Sequence, residues 1–347
     1  MSHLTYAEAG LIGLIQGVTE LFPISSLGHS VLVPALIGGS WSQDLNVSKA
    51  ESPYLAYIVG LHVATALAMI IYFWRDWVRI IGAFFASVKH VIVPEPGTER
   101  WEPQTTDQKL AWMIVLATIP VGIAGLALEH LFRVLFSKPI LTSVFLFANG
   151  LILLAGERAR RRHVAMEAQQ IAADEQAVAE RQKAAVAAGG YGNGGRHSSG
   201  QRALKQHQAG LAVESDRRLT GIGWAGAFVL GAAQILALLP GISRDGIVMV
   251  GGLFRGLSRQ DAARFSFLLS APVILAAGLL KVPDLTGPLG AGIHGQVLFG
   301  SILSGVGAYL ALRFLMRYFS DPKRTLTPFA IYSLCVGFGC LVYFAVR

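Results

Sequence analysis

Apolar residues gather into six runs, near positions 55–74, 110–128, 139–156, 263–281, 295–318 and 326–346. Each is long enough to cross a bilayer, which takes about 20 residues. Two further stretches are apolar but interrupted. Residues 8–37 form two short pieces broken at LFPISS, and residues 222–255 form two more broken at LLPGISR. Pieces of about 10–14 residues fit re-entrant or interfacial segments better than spans.

The two interruptions match each other. GLIQGVTELFPISSLG runs from Gly13 to Gly28, and GAAQILALLPGISRDG from Gly231 to Gly246. Both begin with Gly and Gln at the same spacing, and both end in Pro, Ile-Ser and Gly with one gap. Each is followed by three candidate spans. The pattern predicts an all-α polytopic membrane protein of two repeats, each a re-entrant helical hairpin plus three transmembrane helices. An odd number of spans per repeat inverts the second relative to the first. Interrupted segments at matching places in two such halves point to a binding site near the bilayer midplane. The first repeat takes residues 1–156 and the second 221–347, with a polar insertion at 157–220 between them.

Composition agrees with a membrane protein. The chain is 53% hydrophobic and 14% charged, against about 25% charged in soluble domains. The net charge of +8 does not call for nucleic acid, because the basic residues flank apolar runs or fill the insertion. Their asymmetry predicts orientation. Loops 74–109, 157–220 and 313–325 carry most of the Lys and Arg, whereas 38–53, 129–138 and 281–294 carry Lys49, Arg133, Lys138 and Lys281. The positive-inside bias puts the first set in the cytoplasm and both termini outside. Within the insertion, the Ala-, Glu- and Arg-rich segment 157–188 can extend a helix. GGYGNGG and HSSGQR read as linker. Cys335 and Cys340 are expected as buried free thiols on different faces of the last span. The N-terminus lacks the basic start of a signal peptide.

Two constellations carry chemistry. The first is Gln16, Glu20, Ser25, Ser26 and His29. Gln16 and Glu20, four apart, share a helix face. Pro23 ends that helix and leaves Ser25 and Ser26 where a second would start, a capping position. A carboxylate in a membrane segment is costly and marks function. Ser26 and His29, three apart, suit a nucleophile with an acid/base partner. The second is LLPGISRDG, residues 238–246, where Gly241 and Gly246 bracket Ser243, Arg244 and Asp245. A guanidinium in apolar surroundings needs an anion, and its planar fork suits phosphate. A salt bridge from Arg244 to Asp245 or Glu20 is the competing, purely structural use. Brought face to face, the two breaks offer a carboxylate, hydroxyls, an imidazole, a guanidinium and two helix N-termini. That set fits phosphoryl transfer, with a divalent cation on Glu20 as an option.

These residues resemble the undecaprenyl-pyrophosphate phosphatase, or bacitracin-resistance, family. Its signatures stand here as QGVTELFPISSLGH and PGISRDG, and the flanking YFWRDW, ATIP, RFSFLLSAP and TPFAIY are similar to it as well. The resemblance covers nearly everything but the insertion. It implies hydrolysis of a polyprenyl diphosphate at a site open to the outer face of the bacterial cell membrane, with the insertion in the cytoplasm. It implies Ser26 as nucleophile, assisted by Glu20 and His29, with Arg244 clamping phosphate. Gln16, Ser25, Gly28, Gly241, Ser243, Asp245 and Gly246 are the expected substrate-binding residues. Mg2+ or Ca2+ on Gln16 and Glu20 is the expected cofactor. The expected partners are the lipid, the bilayer and, as an option, a second copy of the chain in a homodimer. The chain departs from the family at Leu27, Asp245 and Val248, where hydroxyl residues are common. Asp245 is expected to repel a diphosphate unless Arg244 neutralises it. A polyprenyl-phosphate transporter using the same anion site is the alternative to a phosphatase.

Overall fold

A computed structural model describes residues 4–45, 53–93, 102–128, 138–187, 214–287 and 292–347. The linker expected over GGYGNGG and HSSGQR, and most of loop 129–138, lie outside them. The described residues are helical, with no strands among them.

The first hairpin is α1 (Tyr6–Leu21) and α2 (Ser26–Ile37), followed by the short α3 (Gly39–Asp44). Thr5 and Glu8 close a capping box on α1, satisfying donors that a helix start leaves unpaired. Next come α4 (Pro53–Tyr72), α5 (Trp74–Ile92), α6 (Thr106–Ala127) and α7 (Pro139–Ala187). The second half opens with α8 (Glu214–Gly221) and α9 (Gly223–Ala233), which runs into a 3-10 turn at Gln234–Leu238. After the break come α10 (Arg244–Phe254), α11 (Arg259–Thr286), α12 (His294–Phe319) and α13 (Thr327–Val346). By length and hydropathy five helices can cross a membrane, or up to seven when two sharply bent pairs are counted as spans. The protein is thus an all-α, multi-pass membrane protein.

The hairpin of each half leans on the other half. A Cβ at Gly13 or Gly17 on α1 would collide with the backbone carbonyls of Gly300 or Ser304 on α12. A Cβ at Gly231 on α9 would collide with the carbonyl of Ala117 on α6. Gly13 and Gly231 are the aligned first glycines of the two broken segments. Small residues there let backbones touch, which is how helices associate in lipid. Equivalent spans run antiparallel. Along α4 and α11, Val63 meets Gly278, while Phe73, just past the end of α4, meets Phe267. On α7 and α13, Gly150 meets Ala330 and Leu334, while Phe147 meets Gly337.

Several features differ from the sequence reading. α5 is a helix where a loop was expected, set at 87° to α4. It turns Trp74, Val78, Ile81, Phe85 and Ile92 outward and keeps Asp76, Arg79 and Ser87 against the protein, an amphipathic pattern that period-blind counting of apolar runs overlooks. In the insertion the helix expected over 157–188 is present as far as Ala187, and the helix at its far end is the addition. Its first part continues the third span as α7, and its end, α8, enters a partly buried ion-pair cluster. In that cluster Arg79 meets Asp76 at 3.1 Å, Asp107 at 2.5 Å, and also Asp216. Arg264 meets Asp76 and Asp216, both at 2.7 Å, and Arg218 meets Asp261 at 2.7 Å. Glu157 on α7 takes Arg259 at 2.5 Å and the Leu326 N–H at 3.2 Å. The cluster ties one end of α5, α6, α8 and α11 together. Cys340 is buried as expected, but Cys335 is exposed, since five residues of helix turn it to the outer face of α13.

Candidate active site

Pro23 and Pro240 stop α1 and the 3-10 turn, and the two breaks that follow lie against each other. Gly241 has φ 109°, a backbone conformation that L side chains avoid. A Cβ there would press to 2.5 Å from the Thr142 carbonyl and 2.6 Å from the Leu146 amide on α7. At Gly28 a Cβ would stand 3.0 Å from the Gly241 Cα. The Ser25 hydroxyl accepts from the Gly28 N–H of its own helix at 3.2 Å and from the Gly241 N–H of the other half at 3.1 Å. Ser243 caps α10 in the same way, accepting from Gly246 N–H at 3.1 Å. Ser25 holds φ 69°, the one positive-φ residue other than glycine among the described residues. Ser25, Gly28, Gly241, Ser243 and Gly246, expected as substrate contacts, therefore hold the breaks together. Capping consumes the third N–H of each helix. The first two N–H groups of α2 (Ser26, Leu27) and of α10 (Arg244, Asp245) have no intrahelical acceptor and face an anion-ready helix start.

Glu20 is the hub. It is buried, accepts the hydroxyl of Ser26, and takes the Gln16 amide at 2.8 Å. Arg244 reaches it from the other half, Nη2 to Oε1 at 2.5 Å. The competing salt bridge of the sequence reading is therefore present, but it engages one edge of the fork. Arg244 Nε and Gln16 Oε1 have no hydrogen-bond partner among the described residues. Buried polar atoms left unpaired are rare and mark a place where a ligand completes the set.

His29 goes elsewhere. Its Nδ1 lies 2.7 Å from the Ser25 carbonyl and its Nε2 2.9 Å from the Tyr332 hydroxyl. A carbonyl only accepts, so Nδ1 carries the proton and Nε2 accepts from Tyr332. The pairing of His29 with Ser26 is not made, because both nitrogens of the His29 ring are taken, by the Ser25 carbonyl and by Tyr332 on α13. The acceptor on Ser26 is Glu20. Asp245 turns toward α11. Ser266 and Ser270 on α11 donate to its carboxylate at 2.7 and 2.5 Å. Successive helical residues point about 100° apart, so Arg244 faces Glu20 while its neighbour faces α11. Asp245 is thus held by hydroxyl donors rather than set against the anion site. Val248 is core.

Three residues were missed. His62 on α4 sets Nε2 3.5 Å from Glu20 Oε2 and Nδ1 2.9 Å from the Ile58 carbonyl. Asn149 on α7 joins both breaks: its amide donates to the Pro23 carbonyl at 2.9 Å and its oxygen accepts from Ser243 N–H at 3.0 Å. Tyr332 holds His29. His62 and Asn149 were polar residues inside apolar spans, the signal that singled out Glu20.

For a divalent cation on Gln16 and Glu20, the unpartnered Gln16 Oε1 is a ready oxygen, but the carboxylate beside it is already engaged. Glu20 is the one carboxylate there, Arg244 already neutralises it, and Ser26 and Gln16 occupy its second oxygen. The described residues hold no cluster of three or more His, Cys, Asp or Glu that could bind a metal.

The description of the bacitracin resistance protein BacA family matches residues 9–189 and 200–339. This chain belongs to the bacitracin resistance protein BacA family. Among relatives of this BacA member, an undecaprenyl-diphosphatase of Mycolicibacterium paratuberculosis is 54% identical over 346 residues, covering 100% of this chain and 99% of the relative. Undecaprenyl-diphosphatase 2 of Frankia alni is 52% identical over 359 residues, with both chains covered to 100%. An undecaprenyl-diphosphatase of Mycobacterium avium is 53% identical, covering 100% of this chain and 99% of the relative. The family match spans both breaks, so the paired site belongs to the shared part of the chain.

Proposed function

We propose that this BacA-family protein hydrolyses undecaprenyl, or a similar polyprenyl, diphosphate to the monophosphate and phosphate, recycling the lipid carrier of cell-wall synthesis and so conferring bacitracin resistance. The observation that carries the reading is the Ser26 hydroxyl bonded to a buried carboxylate that is itself paired across the repeats with Arg244. Ser26 Oγ attacks the terminal phosphorus as its proton passes to Glu20. The P–O bond to the lipid phosphate breaks, and that monophosphate leaves. Arg244 and the free N–H groups of α2 and α10 hold the charge on the equatorial oxygens. With the first proton passed from Glu20 to the departing lipid-phosphate oxygen, water attacks the phosphoserine and yields a proton to Glu20, and Ser26 Oγ takes that proton as phosphate departs. His29 holds the Ser25 carbonyl in place, and with it the strained turn that aims Ser26.

The two halves are read as inverted repeats, supported by the antiparallel pairing of α4 with α11 and α7 with α13. The ion-pair end of the bundle is read as cytoplasmic and the site as open to the outer face. The support is the basic character of the loops at that end. A homodimer fits the exposed apolar surface of a membrane protein, but no particular face commits to it.

The test is phosphate release from a polyprenyl diphosphate by purified protein, with Ser26→Ala beside it. Turnover is expected from the parent and none from Ser26→Ala, which still binds the lipid. Release by Ser26→Ala at the parent rate refutes the serine nucleophile. Binding without release by the parent favours transport of the lipid phosphate, for which breaks near the midplane of paired halves are also a plan.

A further inference from the structure

We infer that Asn149 is a positioning residue that sets the register between the two breaks. This rests on the hydrolytic reading above, and no motif of either break contains it. Asn149 sits on α7, fully buried, in the third span of the first half. One side-chain amide reaches three other segments. It donates to the Pro23 carbonyl at 2.9 Å and to Ser333 Oγ on α13 at 3.3 Å, and accepts from Ser243 N–H at 3.0 Å.

The two bonds to the breaks matter most. Pro23 lies between Glu20 and Ser26, and Ser243 is the residue before Arg244. The groups proposed to activate and to clamp are thus each one to three residues from an atom fixed by the same amide. An amide is required, since it presents a donor and an acceptor on one rigid plane. Asp lacks the donor, and Leu lacks both. A second hydrogen bond, from Gly241 N–H to Ser25 Oγ, also crosses the two breaks. Two independent bonds across the breaks restrict sliding as well as separation. The hydrogen bonds of Asn149 go to Pro23, Ser243 and Ser333 and not to Glu20, Ser26 or Arg244, so it acts on them through the backbone.

The test compares Asn149→Leu, close in volume and free of polar atoms, with Ser333→Ala. Asn149→Leu is expected to lower kcat about 100-fold, the scale of a misplacement near 1 Å, while KM stays within about threefold because the lipid tail is untouched. Ser333→Ala removes the bond to α13 alone and is expected to keep most of kcat. Combining Asn149→Leu with Arg244→Lys is expected to cost little more than the worse single change, since both spoil the placement of one guanidinium. Fully additive losses, or an equal loss in Ser333→Ala, overturn the proposal and leave Asn149 as ordinary helix packing. Hydrogen exchange over 239–246 gives a readout free of activity. Asn149→Leu is expected to speed exchange at Ser243 about tenfold, the worth of one hydrogen bond, with α11 unchanged. Unchanged exchange at Ser243 also overturns the proposal. A parent protein that releases no phosphate but shows the exchange effect overturns the hydrolytic reading alone.

Discussion

Replacing Ser25 tests how the two breaks are joined. Read as a simple cap, its hydroxyl is worth about 1 kcal/mol. The structure assigns it more. Ser25→Ala loses the cap on Gly28 and also strands the buried Gly241 N–H, whose recorded acceptor at 3.1 Å is this hydroxyl. An orphaned buried donor costs about 1–3 kcal/mol, giving a total of about 2–4 kcal/mol. The backbone supplies an internal control. Ser25 holds φ 69°, so alanine keeps the strain that glycine relieves. Glycine loses the same hydroxyl and adds freedom to the unfolded chain, about 0.4–1 kcal/mol. On balance Ser25→Gly is expected to be more stable than Ser25→Ala by about 1 kcal/mol. Thermal or denaturant unfolding of the detergent-purified protein measures the order, with phosphate release recorded alongside. Activity is expected to fall in both, because Gly241, three residues before Arg244, loses its hydrogen bond to the first half. An alanine variant within about 0.5 kcal/mol of the parent, the range of an ordinary surface change, would refute the bridging role. A glycine variant less stable than alanine would refute the strain.

Arg244→Lys keeps the charge and loses the fork; activity is expected to fall about 100-fold or more, as for removal of a fixed donor to developing charge, and a near-parent rate in the same assay would reduce Arg244 to a counter-ion. Glu20→Gln is nearly isosteric but cannot take the Ser26 proton; kcat is expected to drop by about 10²–10⁴, and retention of kcat would pass the base role to another group, with His62, 3.5 Å from Glu20, the neighbouring candidate. Orientation is checked with Gln169→Cys, an exposed site on α7, in a background where Cys335 and Cys340 are serine. A membrane-impermeant maleimide added to intact cells is expected to leave it unlabelled, and efficient labelling would reverse the topology.

Much of the architecture was legible because lipid imposes it. A bilayer forbids unpaired backbone, so proline breaks inside apolar runs stood out, and their matching spacing revealed the second hairpin. Glu20 and Arg244 were legible for the same reason, being expensive there. Pairings across the chain were not. Periodicity gives the face of a helix but not its neighbour, so His29 with Tyr332, and Asp245 with Ser266 and Ser270, emerged only from the packing. The same blindness hid Asn149, whose three partners lie 94 to 184 residues away. α5 was missed for a different reason, since an apolar stripe along one face does not register as a run.

The glycine seam between α1 and α12 has a consequence for synthesis. The first hairpin leaves the ribosome early, but its seat on α12 does not exist until residues 294–319 have been made. At about 5–20 residues per second the wait is on the order of tens of seconds. Through that interval Glu20 sits in a nascent membrane helix with no guanidinium to meet it, because Arg244 too is still to come. The first hairpin thus receives its seat and its counter-charge only late in synthesis. A messenger truncated before α12 would yield a chain whose most polar membrane segment never finds its berth, a ready mark for quality-control proteolysis.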